Sequence, residues 1–338
     1  MPKIYKLMFL NILFMSTMIS LSAYTWLGMW MGLEINLLSM IPIMQEKYIL
    51  SSDSSINYFI TQGAASTIIL MSIIVMMWYI NFTSNLNENS NMIMIMNSGF
   101  LLKMGMAPLH FWFPEVLDGL YWYNCMLMLT WQKIARMVLM MYNMESSLFY
   151  SIIIITGMII WSIMSMIQIS MRKLMTFSSI NNMGWMMAAM MTENTVWMIY
   201  FAIYSMITIN IAMMMKIIFY MNQLFPTINI SPSMKMFIML NFLSLSGIPP
   251  FLGFLPKWMV IQTLISKNMF LLTIMMIMFT LILIYVYMRI AMSALVMKIN
   301  QWNWNLKLNM KTFKMSISIL NFFMLSSLIL ITISLNMI

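Results

Sequence analysis

A lysine and the only histidine of the chain lie together in an apolar run, SGFLLKMGMAPLHFWFPE, from Ser98 to Glu115. Lys103 and His110 can both take up and release a proton, so the chemistry that they suggest is proton transfer. An ionisable side chain at membrane depth costs roughly 2.5–3.5 kcal/mol on insertion scales. Each such residue is therefore a candidate functional residue whose partner has to be sought elsewhere in the chain.

Three more ionisable side chains occur within apolar runs. Glu34 lies in WMGLEINLLSM, Lys133 in LTWQKIARMV and Lys257 in FLPKWMV. Glu34 is the natural counter-charge for Lys103. A nearby carboxylate favours the charged form of a lysine, so a change in its electrostatic effect would switch the protonation of Lys103. Together these side chains suggest a proton relay built from buried charges.

Each of these residues also has a bland interpretation. Glu34 could be a buried carboxylate that serves helix packing. Lys133, Lys257 and Arg136 could extend their charged ends to the membrane interface, as could Lys216 near the end of its apolar run. His110 could hydrogen-bond a backbone carbonyl left open by an interrupted helix, or it could relay protons. The residues alone leave these alternatives open.

The elements that must position these charges are membrane-spanning helices. Hydrophobic residues make up 62% of the chain and charged residues 7%, whereas a soluble protein has about 25% charged residues. The apolar residues form runs of about 20, the length of a transmembrane helix, rather than the alternating strands of a barrel. We therefore predict an all-α polytopic membrane protein with a single transmembrane domain, residues 1–338.

Several kinds of site are excluded by the residues that the chain contains. Cys125 is the only cysteine and His110 the only histidine, which is too few for a zinc, haem, copper or iron–sulfur site. No Walker loop and no dinucleotide fingerprint occurs. The net charge of +9 comes from scattered lysines, unlike the clustered basic face of a nucleic-acid-binding protein. We predict that this chain binds no cofactor and no nucleic acid.

Eleven membrane spans are predicted from the apolar runs. They lie near residues 7–23, 25–44, 58–80, 91–112, 122–142, 149–170, 174–191, 196–220, 236–257, 270–296 and 315–336. Most loop lysines and arginines then fall on the side of the N-terminus, while Lys267 and three glutamates lie on the other side. The positive-inside rule places the N-terminus in a matrix or cytoplasm and the C-terminus across the membrane.

The pattern G-x-x-P-x5-P occurs twice, in Gly105–Pro114 and again in Gly247–Pro256. The two copies fall in the fourth and ninth predicted spans, so the two spans run through the membrane in opposite directions. Glycine and proline interruptions at corresponding positions of an inverted repeat indicate the ion pathway of a transporter. We therefore predict antiporter-like inverted repeats with two discontinuous helices.

Four sequence blocks carry a family resemblance: LLKMGMAPLHFWFPEV, LTWQKIA, RKLMTFSSINNMGW and LSLSGIPPFLGFLPKW. In this order they resemble the antiporter-like membrane subunits of animal mitochondrial complex I, and the resemblance covers essentially the whole chain. The abundance of methionine, 53 residues, agrees with translation of an animal mitochondrial gene. The resemblance implies a multi-pass protein of the mitochondrial inner membrane, with the N-terminus in the matrix and the C-terminus on the intermembrane side.

The resemblance also implies a function and its residues. The family moves protons along a row of charges that matches Glu34, Lys103, Lys133 and Lys257, with His110 near the same hydrated axis. Redox chemistry with NADH and ubiquinone takes place in other subunits, so no cofactor is bound by this chain. Animal members lack the first three spans of bacterial ones, which implies that neighbouring membrane subunits, together with lipids, are the partners.

Two rival functions remain compatible with the same residues. A stand-alone cation/proton antiporter would transport ions as an isolated chain. A purely structural membrane subunit would use its buried charges for helix packing and for contacts with neighbours. Arg136 and Lys216 lie outside the matched family pattern. Arg136 follows Lys133, the central lysine of the row, by one helical turn.

Overall fold

The computed structural model describes residues 4–46, 49–82, 89–144, 147–215 and 232–296, and these fold as α-helices. Six helices of this described part are long and apolar enough to cross a membrane. The predicted eleventh span, 315–336, lies outside the described residues. The chain groups into two compact units, Met1–Gly157 and Met158–Ile338.

The first unit contains eight helices in its described residues, the last of which continues past Gly157. They are α1 (Ile4–Ser22), α2 (Trp26–Met44), α3 (Ile49–Phe82), α4 (Asn89–Met104), α5 (Trp112–Gly119), α6 (Trp122–Leu129), α7 (Trp131–Met141) and α8 (Ser147–Ile167). Helix α2 packs against α1 and α3, and α3 packs against α4 and α5. Helix α7 contacts α1, α4 and α6, so the helices that carry the candidate charges are packed together.

Close packing of these helices depends on small residues. A Cβ atom on Gly32 of α2 would lie 2.7 Å from the backbone nitrogen of Ser20 in α1. A Cβ atom on Gly99 of α4 would lie 2.6 Å from the side chain of Ile69 in α3. Lipid tails are as apolar as leucine, so helices in a membrane gain stability mainly from such close contacts.

The second unit contains α9 (Met171–Thr192), α10 (Asn194–Met214), α11 (Pro232–Ser246), α12 (Phe254–Ser266) and α13 (Phe270–Val296). Helix α9 contacts α10, α12 and α13, and nearly all of its residues are buried. Its buried side chains include the polar Ser178, Ser179, Asn181 and Asn182. The interior of this unit is therefore apolar but contains a group of hydrogen-bonding side chains.

Two helix boundaries differ from the prediction. Helix α3 begins at Ile49, well before the predicted start at residue 58, and serine hydroxyls in this polar stretch donate to carbonyls of their own helix, as Ser52 does to Ile49 at 2.6 Å. The fifth predicted span is interrupted at Thr130, whose hydroxyl donates to the carbonyl of Met126 at 2.8 Å. Back-bonding of this kind bends helices. The predicted span therefore consists of α6 and α7.

Candidate functional site

The first G-x-x-P segment separates α4 from α5. Gly105 has a φ of +72°, a left-handed conformation that glycine adopts at little cost. Its N–H donates to the carbonyl of Leu102 at 3.1 Å, and the N–H of Met106 donates to Leu101 at 3.1 Å. These two bonds form a Schellman motif, the usual way to end a helix with glycine. Residues 105–111, the first interruption, then connect α4 to α5, which begins at Trp112.

The second G-x-x-P segment ends α11 with the same hydrogen bonds. Gly247 has a φ of +79°, and its N–H donates to the carbonyl of Ser244 at 3.1 Å. The N–H of Ile248 donates to Leu243 at 3.5 Å. The backbone hydrogen bonds in the turn after each glycine join residues at the same distances along the chain from that glycine. The next helix also begins the same number of residues after each glycine. The sequence repeat therefore corresponds to the same helix end and the same helix start, while the Ala107–Pro108 peptide bond is cis and its counterpart Pro249–Pro250 is not.

The left-handed glycine of this second segment gives a testable expectation. Replacing Gly247 by alanine should lower the thermal stability of the protein, because a left-handed conformation costs a non-glycine residue roughly 1–2 kcal/mol. The added Cβ would also lie 2.8 Å from Nζ of Lys257. The matched control is Gly63→Ala in α3, where a Cβ meets nothing within 4 Å. Thermal melting of the purified protein should show a loss for G247A alone; equal melting temperatures would contradict the strain.

Cationic side chains bind the carbonyls that the two interruptions leave open. Nη1 of Arg136 donates to the carbonyl of Lys103 at 2.6 Å, and Nε2 of Gln62 donates to the same oxygen at 3.2 Å. In the second unit, Nζ of Lys257 donates to the carbonyl of Ser246 at 2.6 Å. Backbone groups at membrane depth need such partners within the protein, because lipid offers none.

Glu34 and Lys103 form an ion pair between α2 and α4. Oε1 of Glu34 lies 3.7 Å from Nζ of Lys103, whose side chain is 2% exposed, while that of Glu34 is 25% exposed. Within the part of the chain that the structure describes, neither of these two atoms makes a hydrogen bond. Buried polar atoms usually have hydrogen-bond partners, so this pair has capacity for further ones.

Lys133 lies in the first turn of α7 and is 1% exposed. Its Nζ is 5.7 Å from the centre of the Phe113 ring, at a distance typical of a cation–π contact. Phe113 belongs to α5, immediately after the first interruption. The central lysine therefore faces the helix that follows the interrupted segment.

His110 lies inside the first interruption and is buried. Its Nδ1 is 3.3 Å from the carbonyl oxygen of Pro108, and its ring packs against Phe111 with centroids 4.6 Å apart. This contact matches the interpretation in which the imidazole bonds a carbonyl of the interrupted backbone.

Lys257 and Arg136 do not extend to the surface of the described chain. Each is 6% exposed, and each donates to a backbone carbonyl at 2.6 Å. Nζ of Lys257 also lies 5.9 Å from the centre of the Trp185 ring in α9. The charged ends of both side chains therefore bind backbone carbonyls inside the protein. Lys216 lies outside the described residues.

A polar pocket that the sequence did not reveal borders the second interruption. Its cavity volume is only about 10 Å³, and its lining includes Asn182, Tyr200 and Tyr204 together with Gly253 and Pro256. The hydroxyl of Tyr200 donates to Oδ1 of Asn182 at 2.9 Å. The only signal in the sequence was the polar content of the RKLMTFSSINNMGW block, which does not show that Asn182 meets a tyrosine from the next helix.

Comparisons with known proteins agree with this fold. A protein-family model described as "NADH:quinone oxidoreductase/Mrp antiporter, TM" matches residues 23–284. A chain of respiratory complex I from Thermus thermophilus superposes with a TM-score of 0.86 over 99% of this chain and 80% of its own length, at 16% identity. A chain of the Mrp complex from Dietzia sp. DQ12-45-1b superposes with a TM-score of 0.71 over 83% of this chain and 59% of its own, at 12% identity.

The fold and the match to the family model thus define a multi-pass membrane protein of the antiporter-like class. NADH-ubiquinone oxidoreductase chain 2 of Anopheles gambiae is 49% identical over 279 residues, or 81% of each chain. The corresponding protein of Locusta migratoria is 43% identical over 81% of this chain and 80% of its own. The chain belongs to the family of NADH-ubiquinone oxidoreductase chain 2 proteins.

Proposed function

We propose that the chain is a proton-translocating membrane subunit of mitochondrial respiratory complex I, the NADH:ubiquinone oxidoreductase. The observation that carries this proposal is the ion pair between Glu34 and the buried Lys103 at the end of an interrupted helix. Family membership supports it, since relatives such as that of Anopheles gambiae are chains of NADH-ubiquinone oxidoreductase. The chain takes part in an enzyme reaction as a subunit and performs no redox step itself.

Protons pass along Glu34, Lys103 and Lys133 in the first unit and along Lys257 in the second. Each charge affects the protonation of the next through the interior, where low dielectric strengthens electrostatic interactions. Moving one charge against the membrane potential requires about 2.3 kcal/mol per 100 mV, so the switching energies must be of at least that order. His110, in the first interruption, is a further member of the relay.

The finer membrane topology is part of the same proposal. The protein has eleven spans, of which the fourth and the ninth are the discontinuous helices of an inverted repeat. The N-terminus lies in the mitochondrial matrix and the C-terminus on the intermembrane side. The loop charges support this orientation, because lysine and arginine are concentrated on the side of the N-terminus.

The proposal also assigns the partners of this chain and the location of the cofactors of the complex. Other membrane subunits of complex I, with lipids, cover the flank of the first unit, where α2 leaves a quarter of Glu34 exposed. A partly exposed carboxylate on a membrane helix needs a polar neighbour or water, because lipid tails supply neither. NADH and ubiquinone are bound by other subunits, and this chain binds no cofactor.

The proposal is tested by locating ordered water in the complex at high resolution. We expect a file of hydrogen-bonded water between the side chains of Lys103 and Lys133, since buried waters occupy sites with two to four polar partners. The Glu34–Lys103 pair, whose atoms have unused hydrogen-bonding capacity, should lie at one end of the file. Dry apolar packing around Lys133 would favour the structural rival instead.

A further inference from the structure

Arg136 is a buried cation that the proposed relay does not use. Nη1 donates to the carbonyl of Lys103 at 2.6 Å, and Nη2 donates to Oε1 of Gln132 at 3.0 Å and to the hydroxyl of Tyr58 at 3.1 Å. Guanidinium is always charged and offers five N–H donors in a planar fork. One side chain therefore connects α7, which carries it, to α3 and to the end of α4.

The carbonyl that Arg136 binds belongs to the residue whose side chain meets Glu34. Lys103 is the penultimate residue of α4, so its oxygen is one of the acceptors that a helix end leaves without an intrahelical partner. The negative end of the helix dipole lies there and favours a cation. Arg136 also follows Lys133 by about one turn on α7. It thus fixes the backbone of one candidate lysine to the helix of another.

The two interruptions differ in which cation binds the open carbonyl at the helix end. In the second interruption, Lys257 itself donates to the open carbonyl of Ser246, so a candidate relay lysine also binds the helix end. In the first interruption Arg136 performs this second task. The ammonium of Lys103 is then left to face Glu34 at 3.7 Å.

We propose that Arg136 is a positioning residue for the first interruption, which holds the end of α4 on α7 and so fixes the Lys103 ammonium opposite Glu34. This inference rests on the proposed function, since it assigns a role toward the same relay. A lysine at this position would supply a single flexible ammonium, which can reach the carbonyl but cannot bind three acceptors in a planar arrangement. The position requires arginine for its geometry as well as for its charge.

The test compares Arg136→Met with Arg136→Lys in the isolated complex. Two quantities are measured per assembled complex: amide hydrogen exchange of residues 101–111 and protons moved per NADH oxidised. For R136M we expect exchange to rise about tenfold or more, because the carbonyl end of α4 loses its main donor. Protons per NADH should fall to about half or less. R136K should lie between R136M and the unchanged protein for both quantities, and exchange of residues 243–253 should stay the same.

Several outcomes would overturn the inference. Unchanged exchange in R136M would show that the guanidinium does not hold the interruption. Raised exchange with unchanged protons per NADH would show a role in packing alone. If R136M does not assemble, Tyr58→Phe removes one acceptor of Arg136 and keeps the buried ring; exchange should then rise about twofold to threefold, and wild-type exchange would count against the inference. Failure of the proposed function has a different signature, namely normal proton movement after loss of Lys103.

Discussion

Replacing Lys103 by methionine should abolish proton translocation by the assembled complex. The substitution keeps most of the volume of the side chain and removes the only described contact of the Glu34 carboxylate with a cation. Protons moved per NADH should fall by at least about tenfold, because no proton can pass a position that no longer titrates. Assembly should persist, since methionine leaves in place the backbone carbonyl at position 103 to which Arg136 donates.

The matched control for this substitution is Lys6→Met. Nζ of Lys6 lies 3.6 Å from a carboxylate oxygen of Glu46, about the separation of the Glu34–Lys103 pair. Both partners are partly exposed, and exposed ion pairs contribute little, so K6M should assemble and translocate normally. Complex content on native gels and proton uptake by vesicles distinguish the two variants. Unchanged translocation in K103M would refute the proposed relay, and loss of assembly with normal translocation in the remaining complex would favour the structural rival.

The pairing of Glu34 with Lys103 was predictable from sequence, as was the location of the two interruptions. Unpaired charges in an apolar interior are costly, so the carboxylate of Glu34 is expected to meet one of the lysines that lie within apolar runs. A glycine with a proline three residues later favours a helix end, since glycine adopts the left-handed cap and proline cannot continue the hydrogen bonds. Both predictions follow from the local chemistry of these residues, because unpaired charges and open backbone groups cost more at membrane depth.

The contacts of Arg136 and the interruption at Thr130 were not predictable in the same way. Arg136 can reach the interface or a buried carbonyl with the same four rotatable bonds, and the choice depends on where α4 ends relative to α7. The position of the end of α4 relative to α7 depends on tertiary packing, and the segment LTWQKIARMV does not indicate it. Threonine within an apolar run is usually compatible with a straight helix, so a bend at Thr130 depends on packing around it. Sequence gives the groups that need partners, and tertiary packing selects the partner.

Replacing Lys257 by methionine should also stop proton translocation, and it should in addition loosen the second interruption. Nζ of Lys257 donates to the carbonyl of Ser246 at 2.6 Å, so its loss removes both a titrating group and the cation at the end of α11. A buried carbonyl left without a donor costs about 1–3 kcal/mol. We expect at least about tenfold fewer protons per NADH and faster amide exchange over residues 243–253.

Lys267→Met separates these two effects. Lys267 also caps a helix end, since its Nζ donates to the carbonyls of Thr192 at 2.6 Å and of Met191 at 3.1 Å at the end of α9. It lies at the exposed end of α12 and outside the proposed relay. K267M should therefore speed exchange near Thr192 while protons per NADH stay normal. If K257M behaved like K267M, with faster local exchange and intact translocation, Lys257 would serve only to cap the helix, and the relay would have to pass elsewhere.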